Sequence, residues 1–233
     1  VHNDHLVRQS REVAAYYDDL YASRTDVWRD QGHTDAFTRY VAGLVEAGGP
    51  GRYLDVGCGE GIFLEAAARM EGYGLDISRE ALRHAGDRTS ASLIQGVAER
   101  LPFASGMFDA VTSIGAMEHF LDDVAATLEI RRVLRRSGRY VLALLVEITG
   151  ADRLRIKARR LLSGPNAAPA PPGPPPDVRA LPQQPVQNRY RPRRARALFE
   201  RCGFRVAREI TLDNTPDAPL PGHYMRFYCL EAV

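Results

Sequence analysis

Apolar residues recur at steps of four in "REVAAYYDDLYASR", where Val13, Tyr17 and Tyr21 form one stripe with Leu20 beside it, and this spacing predicts an amphipathic helix. "TDAFTRYVAGLVEAGG" predicts a second helix, with Thr34 or Asp35 as its N-cap and Gly48 as its stop. From Arg52 the pattern changes to strand, turn and helix in alternation. "RYLDVG", "YGLDIS", "SLIQG", "FDAVTSIGA" and "RYVLALLVE" read as five strands. Between them "IFLEAAARM" and "REALRHAG" read as helices, the latter capped by Ser78 with Glu80 in its first turn. "DDVAATLEIRRVLRRSG" is predicted as a helix with acids at its start, arginines at its end and Gly138 past its stop, which suits the helix dipole. The fifth strand is apolar without alternation, as expected of a strand covered on both faces.

Strands alternating with helices predict an α/β fold, a parallel sheet with helices on both faces. Right-handed crossovers then bring the strand C-termini to one edge, where such sheets bind ligands. Residues 150–191 interrupt the rhythm with the basic stretch "RLRIKARRLLSG" and the proline-rich "PNAAPAPPGPPPDVRALPQQP", read as an insertion of polyproline II character, a lid or linker. The pattern resumes with Pro192 opening "PRRARALFERCG". The last two strands, "FRVAREITL" and "HYMRFYCLEAV", have no helix between them and are expected to pair antiparallel. The expected division is a helical cap over 1–50 and one main domain over 51–233 that carries the insertion.

Composition narrows this little. The chain has 233 residues, a formal net charge of +2 and 45% hydrophobic residues, enough for one α/β core and too balanced to argue for nucleic acid or membrane. Lys157 is the single lysine among many arginines, which reads as codon bias. Cys58, Cys202 and Cys229 are too far apart for a CxxC metal site or a disulfide framework and fit a reducing cytoplasm, so a cytoplasmic location and no metal are expected. The N-terminal "VHNDHLVRQS" is read as a frayed polar terminus, despite the metal-ligand types His2, Asp4 and His5. No apolar run approaches the ~20 residues of a membrane span, so no membrane partner is expected.

The chemistry concentrates in "YLDVGCGEGIFL", where Gly57, Gly59 and Gly61 follow a buried strand ending in Asp55. Glycines there let backbone approach a ligand or another chain segment closely. A dinucleotide turn would follow G-x-G-x-x-G with an acid about 20 residues on. Asp76 suits that acid, but position 62 is Ile and the third glycine stands at 61. A purely structural turn needs one such glycine rather than three. Cys58 and Glu60 are read as filling the alternation.

At this point the sequence resembles the class I S-adenosylmethionine (SAM)-dependent methyltransferases. "LDVGCGEG" resembles their first motif, "LDIS" their ribose-binding acid, "QGVAERLPF" their adenine loop, and "FDAVTSIGAMEHF" the fourth strand and the loop after it. "GRYVLALL" resembles their fifth strand, and "NRYRPRRARALFERCGFRV" the sixth strand and preceding helix of small-molecule members such as the ubiquinone-biosynthesis type. The likeness is strongest over 52–147 and continues more weakly over 187–213. It implies a Rossmann-like sheet of seven strands, mostly parallel with the last antiparallel. It also implies SAM as cosubstrate, S-adenosylhomocysteine (SAH) as product, and a small-molecule acceptor, proposed as a hydroxyl or amine of a bacterial secondary metabolite.

Carried over residue by residue, Gly57 and Gly59 would seat the methionine portion. Asp55 would organise the turn and receive the ammonium directly or through water. Asp76 would accept the ribose hydroxyls and Ile77 would lie against adenine. Val97 stands where many relatives carry an acid, which leaves adenine to backbone around Ala98 and to Glu99. Ser113 and Gly115 would offer backbone to the methionine end. His119, between Glu118 and Phe120, is the candidate general base, since histidine exchanges protons near neutrality; the alternative is that this stretch only packs a helix start. Tyr16, Tyr17, Tyr21 and Trp28 are the candidate acceptor pocket, with one of the first three expected in the core. Two other readings are an RNA- or protein-directed methyltransferase using the basic runs 153–160 and 189–196, and a SAM-binding regulatory module that transfers nothing. "SIGAM" lacks the adjacent prolines of a base-amine methyltransferase, so nucleic acid is not the expected partner. The basic runs could also meet a phosphorylated or carboxylated small molecule.

Overall fold

The structure, a computed structural model, describes residues 2–23, 35–147, 154, 184–211 and 223–233. Trp28, Thr34 and the 150–191 insertion, save residue 154 and its end from 184 on, lie outside the described residues. In chain order the elements are α1 (His2–Ser23), α2 (Asp35–Glu46), β1 (Arg52–Val56), α3 (Ile62–Ala66), β2 (Glu71–Asp76), α4 (Arg79–Arg88) and β3 (Ser92–Gln95). They continue with β4 (Phe108–Ile114), a 3-10 turn (Met117–His119), α5 (Asp123–Val133), β5 (Leu134–Glu147), α6 (Pro192–Arg201), β6 (Phe204–Thr211) and β7 (His223–Ala232).

Seven strands form one sheet in the order β3-β2-β1-β4-β5-β7-β6. β7 is antiparallel to both β5 and β6, and every other pairing is parallel. The continuous apolar run of β5 is split by the pleat: Tyr140, Leu142, Leu144 and Val146 join one core cluster, and Val141 and Ala143 the other. α5 and α6 cover the first face through Ile130, Val133, Leu198 and Phe199, while α2 and α3 cover the second through Phe37, Val41, Phe63 and Leu64. The reversal in strand order lies between β1 and β4, as in other doubly wound sheets, and a ligand cleft is expected at the carboxyl ends there.

Three local expectations are corrected. The polar N-terminus, expected to be frayed, is helical from His2. α3 is shorter than "IFLEAAARM" suggested, because the Met70 N–H bonds Ala67 O and the Glu71 N–H bonds Gly51 O, turning the chain into β2. α5 stops at Val133 instead of continuing to Gly138. Its last turn is tied elsewhere: the Arg132 guanidinium donates to Leu101 O and Phe103 O, Arg132 O accepts from Gly106 N, and Leu134 already pairs with Phe108. Ser137, at φ 62°, takes the left-handed position one residue before the glycine.

Candidate functional site

The glycine turn closes over the end of β2, where Leu75 O accepts from Gly57 N at 2.7 Å and from Cys58 N at 3.1 Å. Gly57, Gly59 and Gly61 have φ of 75°, 50° and 77°, so all three need the left-handed backbone that glycine adopts without strain. A Cβ on Gly57 would sit 2.5 Å from the Ala116 methyl, which keeps the turn and the loop after β4 close enough to face one another.

Two buried acids hold this turn in different ways. Asp76 accepts from Gly59 N at 2.8 Å through one oxygen and from Ser78 N at 2.9 Å through the other, so it ties the glycine turn to the start of α4. Burial raises its pKa and these backbone N–H groups oppose the rise. Asp55 lies beneath the turn: Tyr53 donates to Thr112 at 2.7 Å and Thr112 to Asp55 Oδ1 at 2.5 Å, a chain set by the parallel pairing of Asp55 with Thr112. Its second oxygen, Oδ2, is buried and has no hydrogen-bond partner among the described residues. Burial pushes the Asp55 carboxyl up to about 7; the Thr112 hydrogen bond opposes this and the Asp76 charge adds to it.

Across the cleft, α1 lies against α4. Val13, Tyr17, Leu20 and Tyr21 pack with Ala81. Asp18 Oδ1 accepts from the Ser78 hydroxyl at 2.7 Å and from Glu80 N at 3.2 Å, clamping α1 to the first turn of α4. Ser78 is the N-cap expected of α4, accepting from Ala81 N at 3.1 Å, so one hydroxyl serves both helices. Burial raises the Tyr17 pKa well above its ordinary value, with the Asp76 charge adding.

His119 ends the 3-10 turn after β4, and its Nδ1 stands 2.8 Å from Val186 O. A carbonyl oxygen only accepts, so Nδ1 carries the hydrogen and the neutral ring keeps its lone pair on Nε2. The Tyr17 ring meets the His119 ring edge-on at 6.3 Å. Neighbouring Glu118 is buried, which raises its pKa, and the adjacent His119 opposes the rise.

These walls enclose one cleft. Of the sequence-predicted residues it is lined by Gly57, Gly59, Asp76 and Ile77 on the first wall, and by Gly115, His119, Tyr17 and Tyr21 on the second. Ala98 and Glu99 line it from the loop after β3. Glu99 also has another task, since its Oε1 accepts from Leu121 N at 2.7 Å and Asp122 N at 3.1 Å and so holds the start of α5.

Three predicted residues do not line the cleft. Asp55 lies under the turn, so its organising role fits and direct contact with an ammonium does not. Ser113 is buried in the sheet, its hydroxyl 2.6 Å from that of Tyr140. Tyr16 packs edge-on against Tyr17 at 5.1 Å outside the lining. Tyr17 and Tyr21 are core and cleft wall at once.

Sequence reasoning also missed lining residues. Cys58 and Glu60 are buried and line the cleft, rather than filling an alternation; Glu60 lies 3.4 Å from His84 Nδ1. Phe63, Phe120 and Leu121 add apolar surface, and the "EHFL" run after β4 carried the signal for two of them. Among the described residues no group of His, Cys, Asp and Glu could hold a metal ion, and no helix is long and apolar enough to cross a membrane.

Residues 54–142 match the family model described as a methyltransferase domain. The chain is 35% identical over 145 residues to the demethylmenaquinone methyltransferase of Renibacterium salmoninarum, covering 59% of this chain and 60% of that one. It is 31% identical over 163 residues to the methyltransferase GfsG of Streptomyces halstedii, covering 59% of each. The chain thus spans about three fifths of the length of these curated relatives. Among solved structures, the magnesium protoporphyrin IX methyltransferase of Synechocystis with bound SAH superposes with a TM-score of 0.63 over 96% of this chain and 99% of that one, at 17% identity, a likeness of fold.

Proposed function

We propose, for a chain that belongs through residues 54–142 to the class I SAM-dependent methyltransferases, that it transfers a methyl group from SAM to a hydroxyl of a small, uncharged and largely apolar molecule. The residues present fit the donor. The turn at Gly57 and Gly59 lines the cleft with bare backbone for the methionine portion, and a Cβ on Gly57 would collide with the Ala116 methyl, another lining residue. Asp76, at the end of β2, keeps lone pairs for two ribose hydroxyls beyond those it offers Gly59 and Ser78. Ile77 and the stretch 96–98 would flank adenine. Asp55, buried beneath the turn with Oδ2 unpartnered among the described residues and its carboxyl pushed up to about 7, would be drawn toward its charged form by a ligand that carries an ammonium and a sulfonium. When bound, SAM supplies a methyl on a sulfonium whose sulfur leaves with the electron pair of the broken bond.

The protein's remaining work is positioning the acceptor, which can contribute ~7 kcal/mol or more, and removing its proton. The observation that carries the acceptor class is the second wall. α1 and the turn after β4 present Val13, Tyr17, Tyr21, Phe120 and Leu121, and among the described residues of this wall His119 is the proton-accepting group. The charged residues that line the cleft are the acids Glu60, Asp76 and Glu99; no arginine or lysine lines it among the described residues. An anionic acceptor would therefore meet these three acids with no arginine or lysine beside it among the described residues. Of the five arginines at 189–196, four lie near acids on the protein itself: Arg189 and Arg191 face Glu147, Arg194 faces Asp123 and Arg196 pairs with Glu209, which weakens the case for a nucleic-acid surface there. The R. salmoninarum relative, whose name gives demethylmenaquinone as what it acts on, supports a small bacterial metabolite as acceptor.

The test sets labelled SAM against pools of neutral phenols and alcohols, of carboxylated and phosphorylated analogues, and of RNA. Label entering the neutral pool is expected; transfer to RNA alone, or SAH binding without transfer to any pool, would replace this reading with one of the alternatives.

A further inference from the structure

The stretch 184–191, on its way to α6, is stapled to the sheet at Tyr190. That residue is fully buried, forms a parallel bridge with Val146, accepts from Glu147 N at 2.7 Å through its carbonyl, and donates from its hydroxyl to Asp123 Oδ2 at 2.9 Å. Just upstream, the same stretch makes three contacts that fall on three consecutive residues. Asn188 N donates to Glu118 O at 2.6 Å, Val186 O accepts from His119 Nδ1 at 2.8 Å, and Asn188 Nδ2 donates to Phe120 O at 2.7 Å. The carbonyls on either side of His119 are thus both held by Asn188, and the imidazole between them is held by the residue two positions before it.

This arrangement decides which nitrogen of the ring can accept a proton. Neutral imidazole in water favours hydrogen on Nε2, which leaves Nδ1 as the base. A carbonyl at Nδ1 reverses that preference. Val186 can present its carbonyl there only while 186–188 stay in register on the 3-10 turn, and the Asn188 amide is the side chain that keeps them there. Its orientation is unambiguous, because only its nitrogen can donate to Phe120 O.

We infer that Asn188 is a positioning residue, which locks the strap 186–188 onto the turn so that His119 is held in the Nδ1–H tautomer with Nε2 as its proton acceptor. The inference rests on the proposed function for its consequence: the acceptor's hydroxyl proton passes to Nε2 as its oxygen bonds the methyl carbon, and the ring later returns that proton to solvent. The tautomer itself is independent of any acceptor.

The test is side-chain 15N–1H NMR of the full chain at neutral pH, with the His119 signals identified by their loss in His119→Gln. Wild type is expected to show the Nδ1–H pattern. Asn188→Ala removes the side-chain contact, and Asn188→Asp turns it into oxygen against oxygen; both keep the backbone contact to Glu118 and are expected to shift His119 to the Nε2–H pattern. A wild-type His119 in the Nε2–H form would overturn the inference without any variant, as would variants that retain the Nδ1–H form. Calorimetry with SAH on the same samples separates the two claims: unchanged binding in the variants is expected, and no binding by wild type would sink the proposed function while leaving the tautomer result to stand.

Discussion

The two walls of the cleft are built on different scales. The donor wall is local: its glycines and the acid that braces them lie within twenty residues, Gly57 to Asp76, on two adjacent parallel strands. The acceptor wall is assembled from parts distant in sequence. α1 reaches α4 through Asp18 and Ser78, the loop after β3 reaches α5 through Glu99, and Val186 reaches His119. A local wall of backbone and buried carboxylates suits a ligand that is always the same. A wall of side chains borne by separate elements can change its shape without disturbing the turn, which suits the half of a reaction that varies between proteins.

Breaking the donor wall should have the largest effect. Asp76→Ala removes the anchor of Gly59 along with the proposed ribose contacts; hydrogen bonds to a charged group contribute about 1.5–3 kcal/mol each, so SAH affinity by calorimetry should fall about a hundredfold or more. On the other wall, His119→Ala should lower kcat about a hundredfold while leaving SAH affinity unchanged. A loss of less than tenfold would remove His119 from the chemistry and leave the acceptor wall purely steric.

Asp55 tests the donor wall by pH. Burial raises its folded-state pKa to about 7, above an ordinary value near 3.9. The folded state therefore binds its proton more tightly than the unfolded state does, so this contribution to stability is complete below about pH 4 and is lost as pH rises through about 7. Between pH 5 and 8 the loss is roughly 2 to 3 kcal/mol. Urea unfolding of Asp55→Asn, which cannot ionise, should show a correspondingly flatter pH dependence than wild type. The smallest effect is expected from Glu99→Gln, which keeps an oxygen for Leu121 N and Asp122 N but removes its charge: about 1 kcal/mol of stability and little change in SAH binding. A large loss of SAH affinity would return Glu99 to the adenine contact expected from sequence.

The same contrast explains how much could be read from the chain. Three alternating glycines, acids at the ends of two strands, and Ser78 before an apolar stripe are local patterns with local causes, and each stands where its pattern placed it. The antiparallel end of the sheet was legible because the sequence between its last two strands, rich in proline, carries no helical pattern. Helix ends were less so: Arg132 bonds carbonyls at 101 and 103, and a contact across that separation overrides the favourable run up to Gly138. Nothing around Asn188 hints that it brackets His119, because that contact spans 68 residues from Asn188 to Phe120. Asp55 and Glu99 were seen as acids near a ligand, but which groups their oxygens face depends on strand register and on the path of α5.

A crystal structure of the full chain with SAH tests the central claim most directly. The two-wall account predicts ribose hydroxyls on the Asp76 carboxylate, the homocysteine portion against Gly57 and Gly59, and the sulfur facing the space between Tyr17 and His119. SAH bound with its sulfur turned toward β1 and away from His119, or bound outside this cleft, would contradict it.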